Sequence, residues 1–328
     1  MIISRTPFRI SLFGGGTDYP KWYKKKPGLV INATINKYCY INVRKLPPFF
    51  NYNYYIRYYK REQVSKISQI MHPSVRECLR FVKLKYGVEI VHNADLPARS
   101  GLGSSSTFTV GLLNALTSIK NKNLTKKELS LNSIHIEQNL IKENVGSQDQ
   151  IAASFGGINR INFGGKSKFT VNPYILNSTY ENKLSSNLIL IFTGITRNAS
   201  GIAKTQLSQM NYNHQEYEKI LDITKEADEI LRKNKNLDLL GELLDEQWKI
   251  KKKLSSKISN ENIEKIYKKA KLNGAIGCKL LGAGAGGFML IYARKEKQNK
   301  IIKALSKYLH VPFNFDYTGS QIIYFSKN

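Results

Sequence analysis

The sequence has few of the residues that build disulfide frameworks or metal clusters. Its 328 residues include three cysteines, Cys39, Cys78 and Cys278, which are far apart and odd in number. Such a set gives neither a disulfide framework nor the paired spacing of a zinc site. The five histidines are equally scattered and show no ligand spacing. This cysteine usage is the kind expected in a reducing cytoplasm.

Long hydrophobic runs are also missing. The longest apolar stretch near the C-terminus covers residues 286–293, far short of the about 20 residues that a membrane-spanning helix needs. At the N-terminus, Pro7 and the arginines Arg5 and Arg9 interrupt what would have to be the apolar centre of a signal peptide. We therefore expect a cytoplasmic protein with no membrane association.

Acidic residues are the third shortage, with 24 Asp and Glu against 51 Lys and Arg and a formal net charge of +27. One interpretation is a solvated lysine-rich surface, and another is a field that attracts polyanionic substrates such as nucleotides and sugar phosphates. The aromatic and basic stretch 52–60 could also stack nucleic-acid bases. Its alternation fits a half-buried strand at least as well, and we predict a strand there.

The patterning along the chain predicts an α+β protein of two lobes. Strand-like segments open the chain at 2–13 and 29–43, and long amphipathic helices dominate the second half. A length of 328 residues indicates two domains. The polar run 177–187 is the predicted boundary, which divides the chain into domains at 1–182 and 183–328.

The strongest motif is Leu-Pro-Ala-Arg-Ser-Gly-Leu-Gly-Ser-Ser-Ser-Thr at 96–107. Gly101 and Gly103 allow the backbone to approach a ligand closely, and three serines then stand at the start of an apolar helix. A helix N-terminus offers free N–H groups and a partial positive charge, which favour phosphate. The alternative is a glycine turn with a serine N-cap, although a cap needs only one hydroxyl. The Walker sequence with its lysine is absent.

A second motif, Pro-Phe-Arg-Ile-Ser-Leu-Phe-Gly-Gly-Gly-Thr-Asp-Tyr, occupies residues 7–19. A strand that carries one cation, Arg9, breaks at three glycines and then presents a carboxylate, Asp18. Arg9 could neutralise a developing charge, and Asp18 could accept hydrogen bonds from vicinal hydroxyl groups. The alternative is a tight turn in which Asp18 caps a helix.

Two carboxylates follow these motifs along the chain. Glu137 lies on the apolar-flanked face of a predicted helix, 126–143, and Asp149 follows the turn at Gly146. Two carboxylates that approach a phosphate site suit a Mg²⁺ ligand and a general base. Taken alone, each is better explained as a solvated surface acid. The functional assignment therefore depends on both acids meeting the glycine-serine motif.

A glycine-rich segment at 282–287 contains a formal Gly-x-Gly-x-x-Gly. A dinucleotide site of that pattern requires a strand before it and a helix after it. Here an apparent strand, 288–292, comes after the glycines, and no acidic residue follows at the needed spacing. We therefore reject a dinucleotide site and predict a glycine-rich turn that packs against another glycine-rich loop.

The segments 7–19, 96–107 and 281–288 resemble, in order, the three motifs of the GHMP small-molecule kinases. The resemblance covers about residues 5–325, and an ordered set of three is far more specific than any one motif. It implies an N-terminal lobe like ribosomal protein S5 domain 2 and a ferredoxin-like C-terminal lobe, with ATP and substrate in the cleft between them. Gly-Gly-Gly-Thr-Asp-Tyr, Gly-Ser-Gln-Asp-Gln and the stretch 192–197 look most like the sugar-1-kinase branch.

The resemblance also implies roles for single residues. Asp149 is expected to abstract the hydroxyl proton as a catalytic base, with Arg9 as the basic residue paired with it. Glu137 is expected to hold Mg²⁺ together with Ser105, with Ser104 as the second choice. The loop expected to bind the ATP phosphates comprises Gly101, Leu102, Gly103, Ser104, Ser105 and Ser106.

Within the family, the resemblance implies phosphorylation of the anomeric hydroxyl of D-glycero-D-manno-heptose 7-phosphate by ATP and Mg²⁺. The product would be the 1,7-bisphosphate used for GDP-heptose and surface polysaccharide. Asp18 is the expected acceptor of sugar hydroxyls. Galactokinase has Glu-His where Gly15 and Gly16 stand here, which argues against galactose and leaves room for a larger sugar or for backbone N–H contacts.

A phosphorylated sugar needs a cationic clamp, for which arginine has the best geometry. The candidates are Arg99 in the glycine-serine motif and Arg197 in the second lobe, with Lys204 as a weaker one. Thr193, in the stretch typical of sugar-1-kinases, is a further expected substrate contact. Each of these cations alone is also explained as a surface residue.

Three alternatives stay open at this point. The first is a fucokinase-like or other sugar-1-kinase that acts on an unphosphorylated sugar. The second is a basic RNA-binding protein, because lobes of the S5 type also occur in nucleic-acid binders, and the third is an inactive sensor of the same fold. The acids Glu137 and Asp149 argue against the last two. We expect a small sugar phosphate as the partner, no nucleic acid, and a monomer or homodimer.

Overall fold

A computed structural model describes residues 1–164, 168–196 and 199–326, which form twelve strands and eleven α-helices. The strands are β1 (Ile2–Phe13), β2 (Gly28–Lys45), β3 (Tyr54–Arg57), β4 (Arg61–Val64), β5 (Val88–Ala94), β6 (Ile158–Phe163), β7 (Phe169–Pro173), β8 (Leu188–Phe192), β9 (Gly277–Leu280), β10 (Phe288–Tyr292), β11 (Leu309–His310) and β12 (Gln321–Phe325). The helices are α1 (Pro20–Tyr23), α2 (Pro73–Val82), α3 (Ser104–Ser118), α4 (Lys126–His135), α5 (Gln148–Phe155), α6 (Ser178–Ser186), α7 (Ala199–Ser208), α8 (His214–Arg232), α9 (Asp238–Lys253), α10 (Glu261–Leu272) and α11 (Lys295–Ala304). A 3₁₀ turn, Ile67–Gln69, precedes α2, and a π-helical turn, Ile136–Leu140, continues α4.

The first lobe is built on an eight-stranded sheet of order β12-β1-β2-β5-β3-β4, in which β6 also pairs with β2, and β7 pairs with β6. The 18 residues of β2 make this branching possible. Its first part, Gly28 to Ala33, pairs with β6, and its last part, Cys39 to Lys45, pairs with β5. The predicted strand in the aromatic stretch 52–60 is confirmed as β3, which runs parallel to β5.

Helix α3 packs directly on β1 and thereby sets the position of the glycine-serine motif. Twelve of its 15 residues are buried, because Val110, Leu112 and their neighbours fill the space beneath the sheet. Gly111 allows a close approach, since a Cβ there would lie 2.8 Å from the Thr6 hydroxyl. The hydroxyl of Ser4 also donates to the Gly111 carbonyl at 2.8 Å. These contacts hold α3 against β1, and the Arg9 N–H, which donates to the Leu102 carbonyl, ties the segment just before α3 to the same strand.

The second lobe contains a four-stranded antiparallel sheet of order β11-β8-β10-β9. Numbered by their sequence within this lobe, the strands run 4-1-3-2. Helices lie between the first and second strands and between the third and fourth, which is the ferredoxin-like arrangement. The two-lobe α+β fold expected from the sequence, with an S5-like first lobe and a ferredoxin-like second lobe, is confirmed.

The chain passes from one lobe to the other at α6 and returns at its end. The polar run 177–187 forms α6, whose N-cap Asn177 accepts a hydrogen bond from the Tyr180 N–H. The last strand, β12, pairs with β1 in the sheet of the first lobe. A boundary at 182/183 stays our proposal for the division of the chain. Over the described ranges, no helix combines the length and hydrophobicity required to cross a membrane.

Candidate active site

A cleft of about 700 Å³ lies between the two lobes. The first lobe lines it with residues from segments 8–19, 58–74, 92–108 and 143–149, and the second lobe with residues from 203–217, 247–254 and 279–283. All three glycine motifs singled out in the sequence therefore meet at one cavity.

The glycine-serine motif presents a helix N-terminus to this cleft. Gly103 is the N-cap of α3 with a φ of +77°, and Gly101 has a φ of +84°, both in the left-handed region that favours glycine. The serines Ser104, Ser105 and Ser106 form the first turn of α3, and all three line the cleft. Since the first N–H groups of a helix have no partner within it, the motif offers several donors to an anion.

The glycine-rich segment 282–287 packs against the glycine-serine motif, as predicted for a glycine-rich turn. The Phe288 N–H donates to the Ser100 carbonyl at 3.1 Å. A Cβ added to Gly282 would lie 2.6 Å from the Gly101 Cα, and one added to Gly101 would lie 2.6 Å from the Leu281 carbonyl oxygen. Larger residues would force the two loops apart. The prediction that one glycine-rich turn packs against another glycine-rich loop is therefore confirmed.

Arg9 and Asp149 form a bidentate ion pair in the floor of the cleft. Arg9 Nε and Nη2 donate to the two carboxylate oxygens of Asp149 at 2.7 and 2.6 Å. Arg9 Nη1 donates to the Gly101 carbonyl at 2.9 Å, and its main-chain N–H donates to the Leu102 carbonyl at 3.2 Å. The pair thus joins β1, the glycine-serine motif and α5. A carboxylate has about four lone-pair sites, so Asp149 can still accept a proton donor from the cleft.

Asp18 lines the cleft beside this pair and is held by main-chain donors. Its Oδ1 accepts from the Gly16 N–H at 2.9 Å, and its Oδ2 accepts from the Gln148 N–H at 3.2 Å. Gln148 begins α5, so Asp18 also caps a helix, although a distant one. Burial raises the pKa of Asp18, and the Gly16 N–H partly opposes this. A Cβ at Gly146 would collide with the carboxylate, so a glycine is required there.

Glu137 lies behind the serines rather than on the cleft surface. Its Oε2 accepts hydrogen bonds from the Ser106 hydroxyl at 2.7 Å and from the Gln150 amide. Its Oε1 is buried and has no hydrogen-bond partner in the part of the chain that the structure describes. The Thr109 hydroxyl donates to the Ser105 carbonyl and is close enough to Glu137 to oppose the rise in its pKa.

Ser106 rather than Ser105 donates directly to Glu137, and a Mg²⁺ ion shared by Ser105 and Glu137 stays a prediction. Consecutive helical residues point about 100° apart, so only one of the two serines can face the carboxylate. Ser105 is exposed to the cleft, and Glu143, which also lines the cleft, lies close enough to affect Glu137 electrostatically. Glu143 is a second carboxylate that the sequence did not indicate as a ligand.

These residues fit a Mg²⁺ ion that is held partly by nucleotide phosphates. Mg²⁺ is usually bound through one or two carboxylates together with substrate phosphates and water, and Glu137 supplies a buried oxygen without a partner among the described residues. Within the described ranges, no group of three or more His, Cys, Asp or Glu side chains forms a cage for a metal. We therefore propose Glu137 as the metal ligand, with Ser105 and Glu143 facing the same region.

The buried state of Glu137 predicts a pH-dependent stability in Mg²⁺-free buffer. Burial raises its pKa to about 7, from its usual value of 4.5. The folded protein therefore binds more protons than the unfolded chain between these values, and its free energy of unfolding falls as the pH rises through that window. Glu137→Gln keeps both hydrogen bonds without a charge. As the pH rises through this window, we expect the free energy of unfolding of the variant to rise by about 3 kcal/mol relative to that of the wild type.

Urea unfolding at pH 5 and pH 8 measures this gain. Glu246→Gln, at an exposed position of α9, is the matched control and should show no such trend. A Glu137→Gln variant whose stability follows the wild type at both pH values would contradict a buried, raised-pKa carboxyl group.

The remaining predicted substrate contacts have different outcomes. Thr193 is buried outside the cleft lining, and its hydroxyl donates to the Gly287 carbonyl at 2.8 Å. Thr193 therefore holds the glycine-rich segment 282–287 in place. Arg99 does line the cleft and is exposed, Lys204 is exposed outside the lining, and Arg197 lies outside the described residues. Leu102 is buried and meets the site through its carbonyl.

One end of the cleft is aromatic, and of the three rings that pack together there, only Tyr58, in the stretch 52–60, was considered from the sequence as a residue that could stack on a base. His72 stacks on Phe108 with 4.7 Å between ring centroids, and Tyr58 meets His72 edge-on at 4.9 Å. Burial lowers the pKa of His72 to about 4, so its imidazole is neutral at pH 7. These rings come from three separate segments. Their spacing in the sequence therefore gives no signal.

The second lobe adds polar residues that the sequence analysis also missed. Gln206, Gln247, Lys251 and Lys279 line its wall of the cleft, together with Tyr217. Lys279 lies on β9, a short buried strand without a distinctive pattern, and the other residues lie on helices where they look like ordinary amphipathic positions.

Comparison with known proteins agrees with this geometry. The model of the GHMP kinases N terminal domain matches residues 73–157, and that of the GHMP kinases C terminal domain matches residues 225–311. A D-glycero-alpha-D-manno-heptose 7-phosphate kinase from Campylobacter jejuni is 32% identical, covering 97% of this chain and 96% of that protein. A bifunctional fucokinase/GDP-fucose pyrophosphorylase from Arabidopsis thaliana is 25% identical, covering 90% of this chain and 30% of that protein.

A solved structure supports the same fold. The crystal structure of a D-glycero-D-manno-heptose 1-phosphate kinase from Bacteroides thetaiotaomicron superposes with a TM-score of 0.81 at 24% sequence identity. The superposition covers 100% of both chains, so the likeness extends over both lobes.

Proposed function

Because this chain belongs to the GHMP kinase family, we propose that it is a sugar kinase that uses ATP and Mg²⁺. Its proposed substrate is D-glycero-D-manno-heptose 7-phosphate, with the anomeric hydroxyl as the acceptor and the 1,7-bisphosphate as the product. The single observation that carries the proposal is the Arg9–Asp149 pair, which faces the N-terminus of α3 in one cleft. The Campylobacter relative supports the choice of a heptose phosphate.

The geometry supports a general-base reaction at Asp149. The carboxylate accepts the proton of the anomeric hydroxyl, whose oxygen attacks the γ-phosphorus of ATP while the bond to the β,γ-bridging oxygen breaks and ADP leaves. Phosphoryl transfer has a loose transition state, so positioning and charge neutralisation carry most of the rate. Arg9 fixes both oxygens of Asp149 and adds positive charge next to the phosphate site. Mg²⁺, when bound at Glu137, would neutralise phosphate oxygens.

The two ends of the cleft accommodate the two substrates. Flat aromatic rings stack well on bases, so we assign the adenine to the end with His72, Phe108 and Tyr58. The buried Nδ1 of His72 has no hydrogen-bond partner among the described residues and suits an amino group of the base. The sugar then lies near Asp18, Gly15 and Gly16, where the Tyr217 ring packs so closely on Gly16 that a Cβ there would lie 2.5 Å from it.

The substrate assignment is tested by ADP release with a panel of sugars. We expect kcat/KM for heptose 7-phosphate to exceed that for heptose, fucose and galactose by at least about 100-fold, since a site built for a charged group rejects analogues that lack it. A preference for a free sugar would replace the substrate with an unphosphorylated one, as in the fucokinase relative. ADP release with none of these sugars would contradict the sugar-kinase proposal.

A further inference from the structure

A buried lysine of the second lobe reaches into the reaction cleft. Lys279 lies on β9, is only 2% exposed, and lines the cleft. Nothing in the proposed reaction uses this residue so far. A lysine is rarely buried to this extent unless its charge has a partner.

The ammonium group is held by the strand that carries Arg9. Lys279 Nζ donates to the carbonyls of Ser11 and Leu12 at 3.0 and 2.6 Å, two and three residues beyond Arg9 on β1. Gln247 supports the same segment, because its amide in the favoured orientation donates to the Leu12 carbonyl at 3.3 Å and accepts from the Gly14 N–H at 3.1 Å. The position of the ammonium group relative to Arg9 is therefore fixed.

The charge of Lys279 is not neutralised by an acid in the described part of the chain. Its two short hydrogen bonds go to neutral carbonyls, and its third polar contact is a longer one, of 3.4 Å, with the neutral side-chain amide of Gln247. Burial lowers its pKa well below the usual value, and the nearby cations Lys251 and Arg9 lower it further. A buried cation among other cations is costly, and an anion that binds beside it would offset this cost.

We propose that Lys279 is a phosphate-binding residue of the cleft. The proposal rests on the kinase function proposed above, and it deepens that function by naming the second-lobe cation that meets a phosphate group. An ammonium group is a compact point charge that suits a phosphate oxygen. Two phosphates can occupy this position, the γ-phosphate of ATP or the phosphate carried by the sugar.

Binding measurements on Lys279→Met distinguish the two sources. Isothermal titration with ATP, ADP, heptose 7-phosphate and heptose gives four dissociation constants for each protein. Loss of a charge-assisted hydrogen bond is expected to weaken one phosphate ligand by about 10- to 100-fold. Weaker ATP binding with unchanged ADP binding would identify the γ-phosphate, whereas weaker heptose 7-phosphate binding with unchanged heptose binding would identify the sugar phosphate.

A purely structural role gives a different pattern. Lys279 would then hold β1 alone, and its loss would weaken ATP and ADP equally, or neither, with heptose 7-phosphate and heptose affected alike. Such a result would overturn the proposal. Lys120→Met is the matched control, because Lys120 Nζ also donates to a main-chain carbonyl, that of Val82 at 2.8 Å, but lies outside the cleft lining. The control should lose stability without changing the ratio of ATP to ADP affinity.

Two further measurements keep the test decisive. Lys279→Gln retains a donor for the carbonyls of β1 and replaces the methionine variant if the latter does not fold, with the same affinity ratios expected. Wild-type turnover on the sugar panel is measured in parallel. If the wild type transfers phosphate while the Lys279 variants keep all four affinities, the lysine proposal alone fails. If the wild type binds neither ATP nor any sugar phosphate, the proposed function fails first.

Discussion

Asp149→Asn is expected to lower kcat by about 10²- to 10⁴-fold, which is the usual contribution of a general base. An amide has nearly the shape of the carboxylate but cannot take the proton of the sugar hydroxyl. One of the two hydrogen bonds from Arg9 is lost as well, because an amide nitrogen would face an arginine donor. ATP binding should be retained, because Asp149 lies beside the phosphate loop rather than within it.

Steady-state ADP release together with ATP titration measures both quantities. Asp222→Asn is the control, since that carboxylate is 71% exposed on α8 and pairs with Lys225 on the surface. The control should keep both kcat and ATP affinity. Turnover close to that of the wild type in Asp149→Asn would refute the base role.

Arg9→Met is expected to be the second most damaging substitution. The variant leaves the Asp149 carboxylate, only 16% exposed, without its bidentate partner, and breaking such a pair costs about 3–5 kcal/mol of stability when both charges are buried. Part of this is relieved by solvent that reaches Asp149. The base also loses its fixed orientation, for which we expect about a 100-fold fall in kcat.

Chemical denaturation and turnover are to be measured on the same preparations. Arg44→Met is the matched control, because Arg44 also pairs with a carboxylate, Glu89, but its side chain is 46% exposed and the pair lies on β2 and β5 away from the cleft. An Arg9→Met variant that loses no more stability and no more activity than this control would show that the pair does not orient the base.

Patterns that are long and regular predicted the fold well. The alternation at 2–13 and the apolar run at 288–292 correspond to β1 and β10 with the expected bounds. The order of the three motifs predicted two lobes around one cleft, because that order resembles the one found in the GHMP kinases. Short elements such as β4 and β11 were missed, since two to four residues carry no periodicity.

The local geometry at the proposed metal ligand was not predictable in the same way. The predicted helix 126–143 ends at His135 and continues as a π-helical turn that contains Glu137. Such turns are common at functional sites, and they depend on the backbone hydrogen-bond pattern, which side-chain periodicity does not report. The hydrogen bond from Ser106 to Glu137 was not predictable for a similar reason, because adjacent residues of α3 point about 100° apart and the sequence does not show which serine faces the carboxylate.

Long-range neighbours account for the rest of the site. Lys279 is 268 residues from Ser11, the first carbonyl that it contacts, and only the packing of β9 against the end of β1 brings them together. His72 and Phe108 are likewise distant in the sequence, because His72 is the N-cap of α2 and Phe108 lies within α3. No spacing in a single sequence encodes such pairs. The excess of basic over acidic residues did not indicate Lys279 either, because a net charge does not show which cation is buried.

The most direct measurement is ³¹P NMR of the wild-type protein with ATP, Mg²⁺ and heptose 7-phosphate. A cleft that joins the helix N-terminus to Asp149 should produce ADP together with a new phosphate resonance coupled to the anomeric proton of the sugar, and Asp149→Asn should lack that resonance. Phosphate transferred to another hydroxyl, or ATP that remains intact with every sugar of the panel, would contradict the assignment of this cleft.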